Sequence, residues 1–135
     1  MCADRDALSD PVMGRTTSGR RAHKLGLAAE AAVRDALLRE GWSIRGERLR
    51  TEAGEVDLAA EKEGLLAIIE VKARPTLAVA AYSLSPRQRA RLLAAAEILL
   101  AENPDWGRAG VRFDLLLVDA AGQIRRITDA FRDHL

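Results

Sequence analysis

Residues Gly54–Arg74 read GEVDLAAEKEGLLAIIEVKAR, and this stretch decides the fold. It reads as a β-hairpin: Gly54–Glu61 as one arm, Lys62–Gly64 in or near the turn, and Leu65–Arg74 as the other arm. The second arm is rich in Leu, Ile and Val, as a strand covered on both sides should be. Alternation puts Leu65, Ala67, Ile69, Val71 and Ala73 on one face, and Leu66, Ile68, Glu70, Lys72 and Arg74 on the other. The second face starts apolar and ends in three charges, and charges at that depth need partners or a task. On the first arm Glu55, Asp57 and Ala59 share a face. A hairpin symmetric about Glu63–Gly64 sets Asp57 opposite Glu70 and Glu55 near Lys72, with opposed Cβ atoms about 5 Å apart. Two carboxylates that close repel unless a cation lies between them, and oxygen ligands suit Mg²⁺ or Mn²⁺. A one-residue slip in register would break the cluster.

The bulk properties limit what surrounds this hairpin. A chain of 135 residues, 48% hydrophobic and 30% charged, is expected to form one globular domain with a modest core. A net charge of +1 neither requires nor excludes nucleic acid, because local clustering decides. Aromatic residues at 4% argue against base-stacking platforms. Cys2 is the single cysteine, and His23 and His134 are the two histidines. A disulfide framework and a cysteine- or histidine-rich metal site are therefore not expected. The start, MCADRDALSD, lacks the apolar stretch of a signal peptide, and Leu92–Ala101 is too short and too interrupted to span a bilayer. The expected location is the cytoplasm, with no membrane association.

Outward from the hairpin, residues 1–19 lack apolar periodicity and read as a flexible tail, leaving 20–135 as the domain. Arg20–Glu40 reads as a helix with Ala22, Leu25, Gly26, Ala29, Val33, Ala36 and Leu37 at helical spacing, stopped by Gly41. Glu30 falls at the edge of that stripe. It is either a flanking surface glutamate or an inward carboxylate reaching the hairpin. Trp42–Arg50 suits a strand, with Arg45, Arg48 and Arg50 exposed. Pro75–Leu84 is a loop. Ser85-Pro86-Arg87-Gln88 opens a second helix with a cap, a proline at the first position and a capping box. Leu92, Leu93, Ala96, Leu99 and Leu100 form its core stripe, and Asn103-Pro104 ends it. VRFDLLLV, within Gly110–Asp119, is a strand; Ala120–Gly122 turns into a last one over Gln123–Thr128, and Phe131 packs near the end. The order α-β-β-β-α-β-β predicts an α/β fold, a mixed sheet between helices.

GEVDLAAE followed by IIEVKAR, with GLAAEAAV upstream and VRFDLLLV downstream, resembles the YraN-like family of small bacterial proteins. The D…E-x-K pattern with a helical Glu ahead of it is similar to the PD-(D/E)XK nuclease superfamily, notably archaeal-type Holliday junction resolvases. The resemblance spans roughly residues 19–131 and implies a restriction-endonuclease-like three-layer core. It implies that Asp57 and Glu70 bind metal, that Lys72 is the motif lysine, and that Glu30 is the helical glutamate of the resolvase-like branch. Val56 stands where the motif name has proline, and Arg87, Gln88 and Arg89 stand where relatives often carry lysine.

The expectation that follows is a Mg²⁺- or Mn²⁺-dependent endonuclease acting on DNA, with branched or repair intermediates as substrates and a homodimer as the form that cuts two strands symmetrically. Arg74, Arg87, Arg91 and Lys24 are the candidate DNA-phosphate contacts, although such clusters are usually solvated surface. Arg112 and Asp114 share a strand face and read as a structural pair, while Glu55 is either a ligand or a partner of Lys72 or an arginine. The rival reading for Asp57, Glu70 and Lys72 is an ion-pair network in a non-catalytic nucleic-acid-binding or interaction module. A hydrolase of another phosphoester is a third.

Overall fold

The computed structural model describes residues 13–76, 84–128 and 130, with the side chains of the first helix described from Gly26 onward. Seven elements follow in the expected order: α1 (Met13–Arg39), β1 (Ser43–Thr51), β2 (Gly54–Lys62), β3 (Leu65–Ala73), α2 (Pro86–Glu102), β4 (Gly110–Val118) and β5 (Ile124–Ile127). The strands form one mixed sheet ordered β1-β2-β3-β4-β5. The β3–β4 pair is parallel and the others are antiparallel. A parallel pair needs a crossover, and α2 supplies it.

Each helix covers one face. On one side Ala29, Val33 and Leu37 of α1 pack on Leu58, Ala60, Ala67, Ile69, Leu116 and Val118. On the other, Leu92, Ala95, Ala96 and Leu99 of α2 pack on Val56, Ala59, Leu66, Ile68, Phe113, Leu115 and Leu117. This is the three-layer, restriction-endonuclease-like arrangement expected from the sequence. The interior strands β3 and β4 are covered on both sides, which is why their sequences read as near-continuous apolar runs.

Local signals placed the elements. Glu63 and Gly64 both have positive φ, 53° and 82°, so the β2–β3 turn needs only two residues and fixes the register. Lys62 pairs with Leu65 and Leu58 with Ile69. Ser85 caps α2, its hydroxyl accepting from the Gln88 N–H while Gln88 returns a bond to the Ser85 N–H. One boundary differs: α1 begins at Met13 and not at Arg20, so residues 13–19 of the expected tail are helical. That segment, MGRTTSG, has no apolar stripe to announce a helix. Residues 1–12, Phe131 and most of the Pro75–Leu84 loop lie outside the described residues. Among the described residues no helix is long and apolar enough to cross a membrane.

Candidate active site

Asp57, Glu70 and Lys72 meet where the β2–β3 ladder stops. Backbone pairing runs from Lys62↔Leu65 to Leu58↔Ile69 and goes no further, although both strands continue. Asp57 is the next residue, and its Oδ2 accepts the Val71 backbone N–H at 2.8 Å. A side-chain carboxylate thus takes the place of a ladder carbonyl. Side-chain alternation breaks here too. Val56 packs on the α2 side and Leu58 on the α1 side, although residues two apart on a regular strand share a face. The partner strand does the same at the same level. Glu47 pairs with Arg34 of α1 while Leu49 packs on the α2 side, and Arg48 between them has φ 49°. Since Glu47 pairs with Leu58 and Leu49 with Val56, Arg48 and Asp57 are the residues at which both strands change face. A left-handed φ on a non-glycine residue is uncommon and marks a position held by its surroundings.

Glu70 is one of two buried charged residues among those described; Asp114 is the other. Its Oε2 lies 3.0 Å from Lys72 Nζ and 3.7 Å from Arg91 Nη2. Two cations therefore converge on one oxygen. The Asp57 carboxyl is pushed up from 3.8 to about 8, first by burial, then by the Glu70 carboxylate and more weakly by Glu30. The Val71 N–H and Lys72 pull in the other direction and do not prevail. Glu30 is thus near enough to act on Asp57, which supports its inward reading. Its own carboxylate, however, binds Arg48 Nε at 3.1 Å.

The other expected residues fall as follows. Glu55 pairs with Arg50 at 3.3 Å and not with Lys72, because the face change at Asp57 interrupts the alternation that would have aligned it. Arg112 and Asp114 form a two-pronged ion pair, 2.9 and 2.8 Å, as the shared strand face predicted. The Arg112 guanidinium also stands 5.8 Å from the Trp42 ring centroid, tying the end of α1 to the sheet. Arg87 is exposed one turn before Arg91, Arg74 is half-buried, and the Lys24 side chain lies outside the described residues. The Arg48 and Arg91 partnerships were missed. Both residues read as surface arginines, and only a positive φ or a helix-to-strand approach, neither visible in sequence, brings them to the acids.

Glycine at position 54 serves the site. Its φ is +142°, and a Cβ there would stand 2.6 Å from both Cγ and Cδ of Arg91. The Arg91 stem thus crosses bare backbone on its way to Glu70. Gly54→Ala is expected to cost about 1–3 kcal/mol and to displace Arg91. Thermal denaturation reads the first effect, and loss of the Arg91–Glu70 contact in a crystal structure reads the second.

Among the described residues no three Asp, Glu, His or Cys side chains form a ready metal cage. Asp57 and Glu70 would offer oxygen donors to one divalent cation, and the Glu70 repulsion, which raises Asp57 second to burial, is what a cation between them would relieve.

The model of the Uncharacterised protein family UPF0102 matches residues 29–118, a span that contains Glu30, Asp57, Glu70, Lys72 and Arg91. A UPF0102 protein of Granulibacter bethesdensis is 60% identical over 114 residues, 84% of this chain and 72% of the relative. A second, from Acidiphilium cryptum, is 46% identical over 118 residues, 87% of this chain and 91% of its own. One from Rhodopseudomonas palustris is 41% identical over 110 residues, 82% and 85%. The chain belongs to the UPF0102 family, the YraN-like family that its hairpin and first helix resemble.

Proposed function

We propose that this protein is a divalent-metal-dependent endonuclease that hydrolyses DNA phosphodiester bonds, with branched and repair intermediates as the substrates to test first. One observation carries the reading: a carboxyl pushed up to about 8 sits beside a buried second carboxylate and a lysine, at the point where a hairpin opens. Asp57 and Glu70 would hold Mg²⁺ or Mn²⁺, and Glu30 would join them as a metal residue, through water or by completing a second site. The ion would supply Lewis acidity toward a phosphate oxygen. Lys72 orients the attacking water and offsets charge on the phosphate. Arg74, Arg87 and Arg91 would meet neighbouring phosphates at this end of the sheet, and Lys24 is the fourth candidate contact.

A second reading has its own support. Glu70 already has two cationic partners and Glu30 has one, which suits a non-catalytic nucleic-acid-binding module stabilised by ion pairs. Incubation with linear, nicked, flapped and four-way DNA, with Mg²⁺ or Mn²⁺, separates the two. The nuclease reading expects cleavage that Asp57→Asn and Lys72→Ala each reduce at least about 10²-fold. DNA binding without cutting under either metal supports the module instead.

A further inference from the structure

Arg91 is held as part of the site and not as a loose surface charge. It lies in the second turn of α2, and its side chain is 41% exposed, yet its stem runs across Gly54 and its Nη2 reaches Glu70 Oε2. Two independent features therefore fix it: a position on β2 with no side chain and positive φ, and a buried carboxylate at the end of the reach. Glu70 Oε2 is the same oxygen that Lys72 holds. A divalent ion held by that oxygen would bring two more positive charges toward both groups. Lys72 sits two residues along the same strand, held by β3. Arg91 belongs to another element, is the more distant of the two, and has a long flexible head already open to solvent. It is the group that must give way.

We propose that Arg91 occupies Glu70 while the site holds no divalent ion, and moves to a DNA phosphate when one binds. Metal loading and capture of the DNA strand are then coupled through one guanidinium. The displaced group is a planar fork suited to a phosphate, and leaving Glu70 for a phosphate keeps its charge paired throughout. This inference rests on the nuclease reading; Arg91 is already a candidate phosphate contact, and what is added is its exchange with Glu70 and an order of events. It also gives α2 a function at the site besides packing.

Binding of Mn²⁺ alone to the full chain, followed by the loss of the free-ion EPR signal, is the first measurement. Removing a competing cation should raise affinity, so Arg91→Ala is expected to bind Mn²⁺ about 3–10-fold more tightly than wild type. Arg91→Lys keeps the charge and should stay close to wild type. The second measurement is binding of a fluorescent four-way DNA in Ca²⁺. Arg91→Ala is expected to weaken it about 5–10-fold and to reduce the salt slope by about one, with partial recovery in Arg91→Lys. Circular dichroism checks that each variant is folded. Equal or weaker Mn²⁺ binding by folded Arg91→Ala overturns the exchange, as does unchanged DNA affinity. If Mn²⁺ binding is present in wild type and lost in Asp57→Asn, but indifferent to Arg91, the metal site stands and this inference falls. If wild type binds no Mn²⁺, both fall.

Discussion

Asp57→Asn is expected to abolish metal-dependent DNA cleavage and, in the same protein, to increase stability at pH 8. The two effects have one cause. The Asp57 carboxyl titrates near 3.8 in the unfolded chain and at about 8 in the folded one. Below pH 3.8 it is neutral in both states and costs nothing. As pH rises from 3.8 toward 8 the unfolded state loses the proton while the folded state retains it, so the folded state is progressively disfavoured. The slope for one such group is at most about 1.4 kcal/mol per pH unit. Residual exposure of Asp57 should make the measured slope smaller. An asparagine at 57 is neutral at every pH and still offers an oxygen to the Val71 N–H. Denaturant unfolding of wild type and variant from pH 4.5 to 8.5 should therefore show a gap that widens with pH in favour of the variant. Saturating Mg²⁺ at pH 8 should close much of that gap in wild type only, because a ligand that binds the folded carboxylate pair stabilises that state. A gap independent of pH would mean that Asp57 is an ordinary surface acid.

Arg112→Met is expected to be strongly destabilising although it lies outside the site. It leaves Asp114, which is 3% exposed, without its two-pronged partner. It also removes the cation near Trp42. Breaking a buried pair from one side typically costs about 3–5 kcal/mol. Because Arg112 is itself one-quarter exposed, about 2–3 kcal/mol is the expectation here, or a fall in Tm on the order of 10 °C. Adding Asp114→Leu should recover most of the loss, since the cost comes from a buried carboxylate that has lost its arginine more than from the missing bond itself. A single variant with wild-type Tm would contradict the structural role of the pair.

The fold was legible because its signals were local and mutually consistent. A two-residue turn at Glu63–Gly64, a capping box at Ser85–Gln88 and apolar runs on β3 and β4 each point to one arrangement. The hairpin register followed from the turn, and with it the approach of Asp57 to Glu70. What strict alternation could not reveal is the change of face at Asp57 and Arg48. Alternation assumes regular strands, and this pair departs from regularity where the chemistry is proposed. Regular alternation set Glu55 near Lys72, and of the partners left open for it the structure gives the arginine, Arg50. The arginine partners of Glu30 and Glu70 are hidden from the sequence for a related reason. Arg48 and Arg91 carry no sequence mark distinguishing them from the other arginines, and their roles arise from a left-handed backbone and from a glycine across the layer. The start of α1 is not legible because residues 13–19 carry no apolar stripe that a periodic reading can detect.

The most direct measurement is a crystal structure of the protein soaked in Mn²⁺, with the ion located by its anomalous scattering. The expected result is one Mn²⁺ bonded to a carboxylate oxygen of Asp57 and one of Glu70, with Lys72 alongside. A map in which Lys72 and Arg91 still hold Glu70, with no Mn²⁺ between the two carboxylates at a concentration that loads other nucleases, would contradict the metal site and the activity proposed from it.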